Sequence, residues 1–249
     1  MAKIISLINQ KGGVGKTTSS YNIGYILSKS SPTLLVDLDP QASLTIYAGL
    51  EPYSYERTMV DVLAERRPDV KSCIVSLRDG LDIIPSRIEL AKAEIDLLSR
   101  TAREQVLSKA LDQVSDDYGY IVIDCPPQLS TLTYNALAST DAVLIPCKTD
   151  YLSYRGIPQL LETIDSVRED LRHEITVLGV LATMFESRAK DDQEILEVLR
   201  SEYDVVAIIK RTVQAKRGMY DGQSVAEYAP GTEIAQEYEK IVEVIKKRI

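Results

Sequence analysis

An apolar run, KIISLIN (3–9), breaks directly into NQKGGVGKTT (9–18), and nothing else in the chain restricts the fold as much. Such a run reads as a buried strand, and the glycines after it let the backbone turn sharply into a helix. The ordinary phosphate-binding loop reads G-x-x-x-x-G-K-[ST]. Gly15, Lys16 and Thr17 fill its last three places, but Gln10 stands where the first glycine belongs, and a second lysine, Lys11, follows it. Gly12, Gly13 and Gly15 leave the backbone N–H groups, including that of Val14, free to converge on an anion at the start of a helix. Lys16 can reach β- and γ-phosphates, and the Thr17 hydroxyl, next to Thr18, can join a Mg²⁺ shell.

Apolar, β-branched runs recur along the chain at 33–39, 81–86, 120–126, 142–147, 175–183 and 205–209. Helical patterns separate them at about 17–29, 88–99, 102–115, 153–171, 190–201 and 232–248, with a short helix around 58–65. This alternation predicts an α/β fold with a mainly parallel twisted sheet covered by helices on both faces. No linker or repeat interrupts it, so residues 1–249 read as a single P-loop domain.

Two of the strands end in acids. Asp124 closes YIVID, at the carboxyl end of a parallel strand, where ligands of open α/β sheets bind. Asp37 and Asp39 close the second run in VDLDPQ. Residues i and i+2 of a strand share a face, so both carboxylates are expected to point into one site and to need a cation or a bound water between them.

The hydrophobic fraction of 45% supplies one sizeable core, and no run of 18 uncharged apolar residues marks a membrane span. MAKIISLIN turns polar too soon for a signal peptide. Cys73, Cys125 and Cys147 lie far apart and read as buried free thiols of a cytoplasmic protein. A net charge of −8 argues against a surface that attracts nucleic acid everywhere. The stretch IIKRTVQAKRGMY (208–220) nevertheless holds Lys210, Arg211, Lys216 and Arg217 without an acid. These four are the DNA-binding candidates, and a solvated basic edge fits them as well.

Together the segments NQKGGVGKTT, LLVDLDPQAS and IVIDCPPQLSTLTYNAL resemble the ParA/MinD superfamily of deviant Walker-A ATPases. VLIPCKTDYLSYRG, GVLATMFESR and YDGQSVAEYAP continue the resemblance over nearly the whole chain, nearest to short, Soj-like ParA partition ATPases. It implies ATP and Mg²⁺ as ligands, a nucleotide-sandwich homodimer, non-specific DNA binding and a centromere-binding, ParB-like partner that triggers hydrolysis. It places the protein in the cytoplasm on the nucleoid, without stable membrane association. Lys11, which alone also fits a solvated loop lysine, would reach the partner subunit's phosphates. Lys16 would meet phosphate, Asp39 would position the attacking water, and Thr17, Asp37 and Asp124 would form the metal shell. The loop 126–133 would sense the γ-phosphate, and Met184 and Ile209 are the adenine-side candidates. The chain departs from the family's usual pattern at Cys125, in IIKRT, and at Lys148 and Asp150.

Other functions leave different traces. A MinD-like membrane ATPase needs an amphipathic anchor; the tail helix places Ile234, Tyr238, Ile241, Val242 and Ile245 on one face but also carries Glu237, Glu239 and Glu243. An iron–sulfur ATPase needs two ligand cysteines per subunit at an interface, and neither Cys125 nor Cys147 sits in a suitable loop. No N-K-x-D string follows a strand, which disfavours GTP.

Overall fold

The seven apolar runs all form strands, and they line up in one sheet. In this computed structural model, which describes residues 1–212, 217–218 and 221–249, the sheet has eight strands in the order β3-β4-β2-β5-β1-β6-β7-β8. They are β1 Lys3–Leu7, β2 Thr33–Asp37, β3 Val75–Arg78, β4 Leu81–Ile84, β5 Tyr120–Asp124, β6 Ala142–Lys148, β7 Thr176–Phe185 and β8 Val205–Lys210. Every pairing is parallel except β3 with β4 at the edge.

Side chains alternate across the sheet and feed two cores. Leu34, Val36, Ile121 and Ile123 face one of them; Leu35, Val122, Ile5 and Leu7 face the other. The first is covered by α3 Met59–Ala64, α4 Leu90–Leu97, α5 Val106–Leu111, α6 Thr131–Ser139, α8 Ile157–Leu171 and α9 Lys190–Glu202. The second is covered by α1 Lys16–Ser28, α2 Ser43–Tyr47 and α11 Glu233–Arg248. Two short helices, α7 Tyr151–Arg155 and α10 Val225–Tyr228, complete the described set.

α1 lies against the sheet with almost no solvent face, which its small residues permit. A Cβ on Gly24 would fall 2.4 Å from Leu35 Cδ2, so only glycine lets the helix lie this low. α11 packs on its other side through Ile234, Tyr238, Ile241, Val242 and Ile245, all buried. Asn22 of α1 accepts the Val225 backbone N–H at 2.6 Å, and Ser19 and Tyr238 share a hydrogen bond of 3.2 Å.

Several elements differ from expectation, among them the short helices α2 and α10. Strand β3 carries no strand signal in the sequence because its four residues, VSLR, are short and none is buried at an antiparallel edge, although the Asp79-Gly80 turn joining it to β4 is a hairpin signal. Helix α6 falls within and beyond the segment read as a sensing loop. It is buried nearly all round and so has no polar face from which a helical period could be read. The helical pattern 102–115 resolves into a 3₁₀ turn, Arg103–Gln105, followed by α5, and 153–171 divides at Gly156 into α7 and α8.

Gly179, at a register shift between β6 and β7, holds φ at 128°, and a Cβ there would sit 2.4 Å from the Asp204 carbonyl oxygen. Gly179→Ala is expected to destabilise the fold by at least about 2 kcal/mol in urea unfolding. Gly12→Ala, whose Cβ meets nothing within 4 Å, should change stability by no more than about 0.5 kcal/mol.

Candidate nucleotide site

β1, β5 and β2 end side by side, and their carboxyl ends carry the site. Register places Leu7 beside Asp124 and Asp124 beside Asp37. The chain leaves β1 through the loop 8–15, which Asn9 anchors: its side-chain amide donates to the Pro146 carbonyl at 2.7 Å and its Oδ1 accepts the Lys11 N–H at 2.9 Å. On the far side Thr183 Oγ1 donates to the Val14 carbonyl at 2.8 Å. Gly13 and Gly15 adopt φ values of 72° and 85°, a conformation that a side chain would strain.

The loop opens into a cavity of about 370 Å³ lined by Gly12, Gly13, Gly15, Lys16, Thr17 and Thr18. Asp39, Ser43, Ile46, Tyr47, Pro127 and Met184 close it. Two larger cavities lie elsewhere among the described residues, and neither opens on a glycine turn at a helix N-terminus. Val14 is itself buried and contributes through its backbone.

Lys16 Nζ lies over its own loop, donating to the Asn9 and Lys11 carbonyls at 3.1 Å each. Burial lowers its pKa, opposed by the charges of Asp124, Cys125 and Asp39. Asp124, 1% exposed, accepts from Thr17 Oγ1 at 2.6 Å and from Ser20 Oγ at 3.0 Å. Burial pushes its carboxyl up to about 6 in spite of these bonds and of Lys16. Asp37 is pushed up to about 8, by burial first and then by Asp124, while its bonds from Thr45 pull the other way.

This geometry corrects the expectation for the acid pair. β2 ends at Asp37, and the Asp39 N–H turns back to donate to Asp37 Oδ1 at 3.2 Å, so the alternation of a strand no longer relates the two side chains. Asp37 turns inward, accepting the Thr45 N–H and hydroxyl at 2.8 and 2.7 Å, whereas Asp39 lines the cavity. Asp39 accepts the Gln41 N–H at 2.9 Å. Ile209 is likewise corrected: it faces the core under α11 and does not line the cavity, because its place in β8 turns its side chain inward. Met184, with φ at 55°, does line it.

Lys11 does not line the cavity either. Its Nζ pairs with Asp150 Oδ1 at 2.9 Å, while Lys148 Nζ holds Oδ2 at 3.1 Å. Although burial works against it, hydrogen bonds from Lys11, Ser153 and Lys148 hold the Asp150 carboxyl well below the usual range. Of the four basic candidates, Lys210 pairs with Glu233 and Arg211 with Glu186, so the stretch without acids in sequence gains them in space. Arg217 is exposed, and Lys216 lies outside the described residues.

The oxygen-only donors at Thr17 and Asp124 suit a hard divalent cation. Among the described residues no group of three or more His, Cys, Asp or Glu could hold a metal ion, so a cation here must share its shell with substrate oxygens and water. Mg²⁺ bound with a nucleotide fits that description. The three cysteines are buried and free, away from any surface where a cluster could bridge two subunits. Ser20 and Thr45, which hold the two buried acids, belong to no motif in the sequence. Ser20 stands one turn after Thr17, and that spacing was the available signal.

Residues 2–177 match a family model described as an AAA domain. The sporulation initiation inhibitor protein Soj of Bacillus subtilis is 38% identical over 242 residues, 96% of each chain. Cobyrinic acid a,c-diamide synthase from Mycobacterium smegmatis, solved with a bound ATP analog and magnesium, superposes with a TM-score of 0.85 at 30% identity. It covers 99% of this chain and 95% of that one. A plasmid partition protein of Borrelia burgdorferi bound to AMPPNP gives a TM-score of 0.84 at 26% identity, with all of both chains covered.

A carboxyl whose folded pKa lies above its unfolded value binds its proton more tightly in the folded chain. Its contribution is therefore most favourable at low pH and fades as pH rises through the folded value. For Asp37 the window runs from about 4 to about 8. In ligand-free protein, Asp37→Asn should flatten the fall in Tm across this window, by a few degrees between pH 5 and pH 8. Parallel profiles for variant and wild type would show that Asp37 ionises freely in the fold.

Proposed function

The chain belongs to the ParA/MinD superfamily of P-loop ATPases, close to the Soj proteins, and on that premise we propose that it is a ParA-type partition ATPase. In this reading ATP pairs two copies on DNA, and hydrolysis, stimulated by a ParB-like adaptor, releases them. The observation that carries it is the division of labour between the loop's two lysines. Lys16 bends over its own loop, whereas Lys11 turns outward to an acid on the neighbouring strand end.

The residues supply the parts that phosphoryl transfer needs. Lys16 exchanges two carbonyl partners for phosphate oxygens, a charge-assisted contact stronger than the bonds it gives up. The Gly12–Thr18 backbone supports the phosphates, and Thr17 with Asp124 would hold Mg²⁺. That ion supplies positive charge where negative charge gathers on the transferring group. Asp39 stands at the cavity wall with one oxygen taken by the Gln41 N–H, leaving the other to orient a water. Asp37 supports the site from behind through Thr45 and Asp124. Tyr151 and Leu152, exposed directly after Asp150, give the face that carries Lys11 apolar surface for a second copy.

DNA contact rests on Lys210, Arg211, Lys216 and Arg217. The pairs from Lys210 to Glu233 and Arg211 to Glu186 are exposed, and such pairs are worth about 0–1 kcal/mol. Phosphates can therefore displace them readily. The membrane alternative is weaker. Among the described residues no helix is long and apolar enough to cross a membrane. The five large apolar side chains on the inner face of α11 are already buried, and withdrawing them would cost roughly 10 kcal/mol.

Lys16→Ala should lower ATP affinity at least about 100-fold in a filter-binding assay. Asp39→Ala should keep binding and lose turnover, and normal turnover would remove its role with water. Lys11→Ala should bind ATP as a single chain yet fail to dimerise in light scattering; a variant that pairs and hydrolyses normally makes Lys11 a surface lysine. If about four of the eight basic side chains of a dimer meet phosphates, log affinity for DNA should fall with log salt at a slope of about −3 to −4. Lys216→Ala with Arg217→Ala should reduce that slope by up to about 2.

A further inference from the structure

A second concavity, of about 770 Å³, lies between the end of α3, the turn after α4 and the start of α5. These helices cover the face of the sheet opposite α1, and the concavity shares no lining residue with the nucleotide cavity. Four cationic side chains line it: Arg66, Arg67, Arg100 and Lys109. Its acid, Glu65, is already bonded to Arg57 at 2.9 Å. In a chain of net charge −8, four cations gathered around one hollow are a local reversal of sign that solubility does not require.

Arg100 gives the hollow a built wall. Its guanidinium donates to the Ala64 and Glu65 carbonyls, closing the end of α3 and fixing its own plane. Two of its five N–H donors are used there, so the rest stay available in a fixed fork, a geometry that matches phosphate. Ser99 and Thr101 line the same hollow, the Ser99 hydroxyl donating to the Asp96 carbonyl at 2.9 Å. Ala102, next in the chain, holds φ at 53°, a left-handed conformation that bends the backbone around the rim. Arg66 and Arg67 are exposed, and like charges brought together in this way favour a multivalent anion between them.

We propose that this hollow binds a small ligand bearing several phosphate groups, at a site separate from the phosphate loop. Duplex DNA offers its charges along a rod and is met by a stripe of cations. Here the cations surround one concavity instead, of a size ordinary for small-molecule sites.

The test is isothermal titration of inorganic tripolyphosphate without divalent cations. Wild type should take up two per chain, and Arg66→Ala/Arg67→Ala/Lys109→Ala should take up one. Lys16→Ala, which disables the phosphate loop, should retain one, bound at least tenfold tighter than in the variant that combines all four substitutions. The exposed positions of Arg66, Arg67 and Lys109 keep the triple variant folded, and it should hydrolyse ATP at the wild-type rate. A nucleoside triphosphate titrated into Lys16→Ala distinguishes the source: tighter binding than tripolyphosphate indicates a phosphate ester, weaker binding an inorganic oligophosphate. A single site in wild type, or uptake by Lys16→Ala that ignores the triple substitution, overturns the proposal. So does a 20-bp duplex that displaces the tripolyphosphate and itself depends on the three cations, since the hollow would then be a nucleic-acid contact.

Discussion

A carboxylate removed from water is expensive unless its lone pairs are filled, and Asp124 imposes that requirement on everything around it. Thr17 and Ser20 meet it from one face of α1, which fixes the rotation of that helix against the sheet. The rotation in turn sets where Gly15 ends the loop, and hence where Lys16 hangs. Gly24 lets the same helix sit low enough on Leu35 for the bonds to form. Asp37, in the adjoining register position, adds a second buried acid whose charge Asp124 opposes. The site is thus a stack of electrostatic debts placed where a cation and a nucleotide's phosphates can relieve them.

Much of this could be read from residue order alone. The strand–loop–helix run 3–18 and the acid closing β5 carry their meaning locally, because backbone conformation and strand direction follow from a few neighbours. The fold class followed from the alternation of apolar runs with helical periods. What escaped depended on contacts remote in the chain. Thr45 meets Asp37 only after the chain has turned at the end of β2, and the same turn separates Asp37 from Asp39. Ile209 has the right composition for a base contact, but its strand position aims it at α11. Helix α6, buried on nearly all sides, offered no periodic contrast. Lys210 and Arg211 looked unopposed because Glu233 and Glu186 stand more than twenty residues away.

Asp150 links features that the sequence presented separately. It holds Lys11 and Lys148 and also caps α7 by accepting the Ser153 N–H at 2.8 Å. A movement of Lys11 away from this carboxylate would leave Lys148 and the helix cap to hold it. The position of α7, with exposed Tyr151 and Leu152, is therefore tied to where the loop lysine points. One carboxylate joins the state of the loop to the shape of the surface beside it.

The bracing of α1 by residues 222–238 has a consequence for the order of events during folding. Tyr21 donates to the Gly222 carbonyl at 2.6 Å, Asn22 holds Val225, and Ser19 meets Tyr238. Each of these contacts spans about two hundred residues. As a ribosome delivers the chain, the phosphate loop emerges well before this bracing, which its helix lacks until residues 222–238 follow about two hundred residues later. Loop closure over such separations is slow. The nascent protein thus carries its nucleotide-binding motif over about two hundred residues of synthesis without part of the packing that shapes it, and competence for the ligand trails the motif.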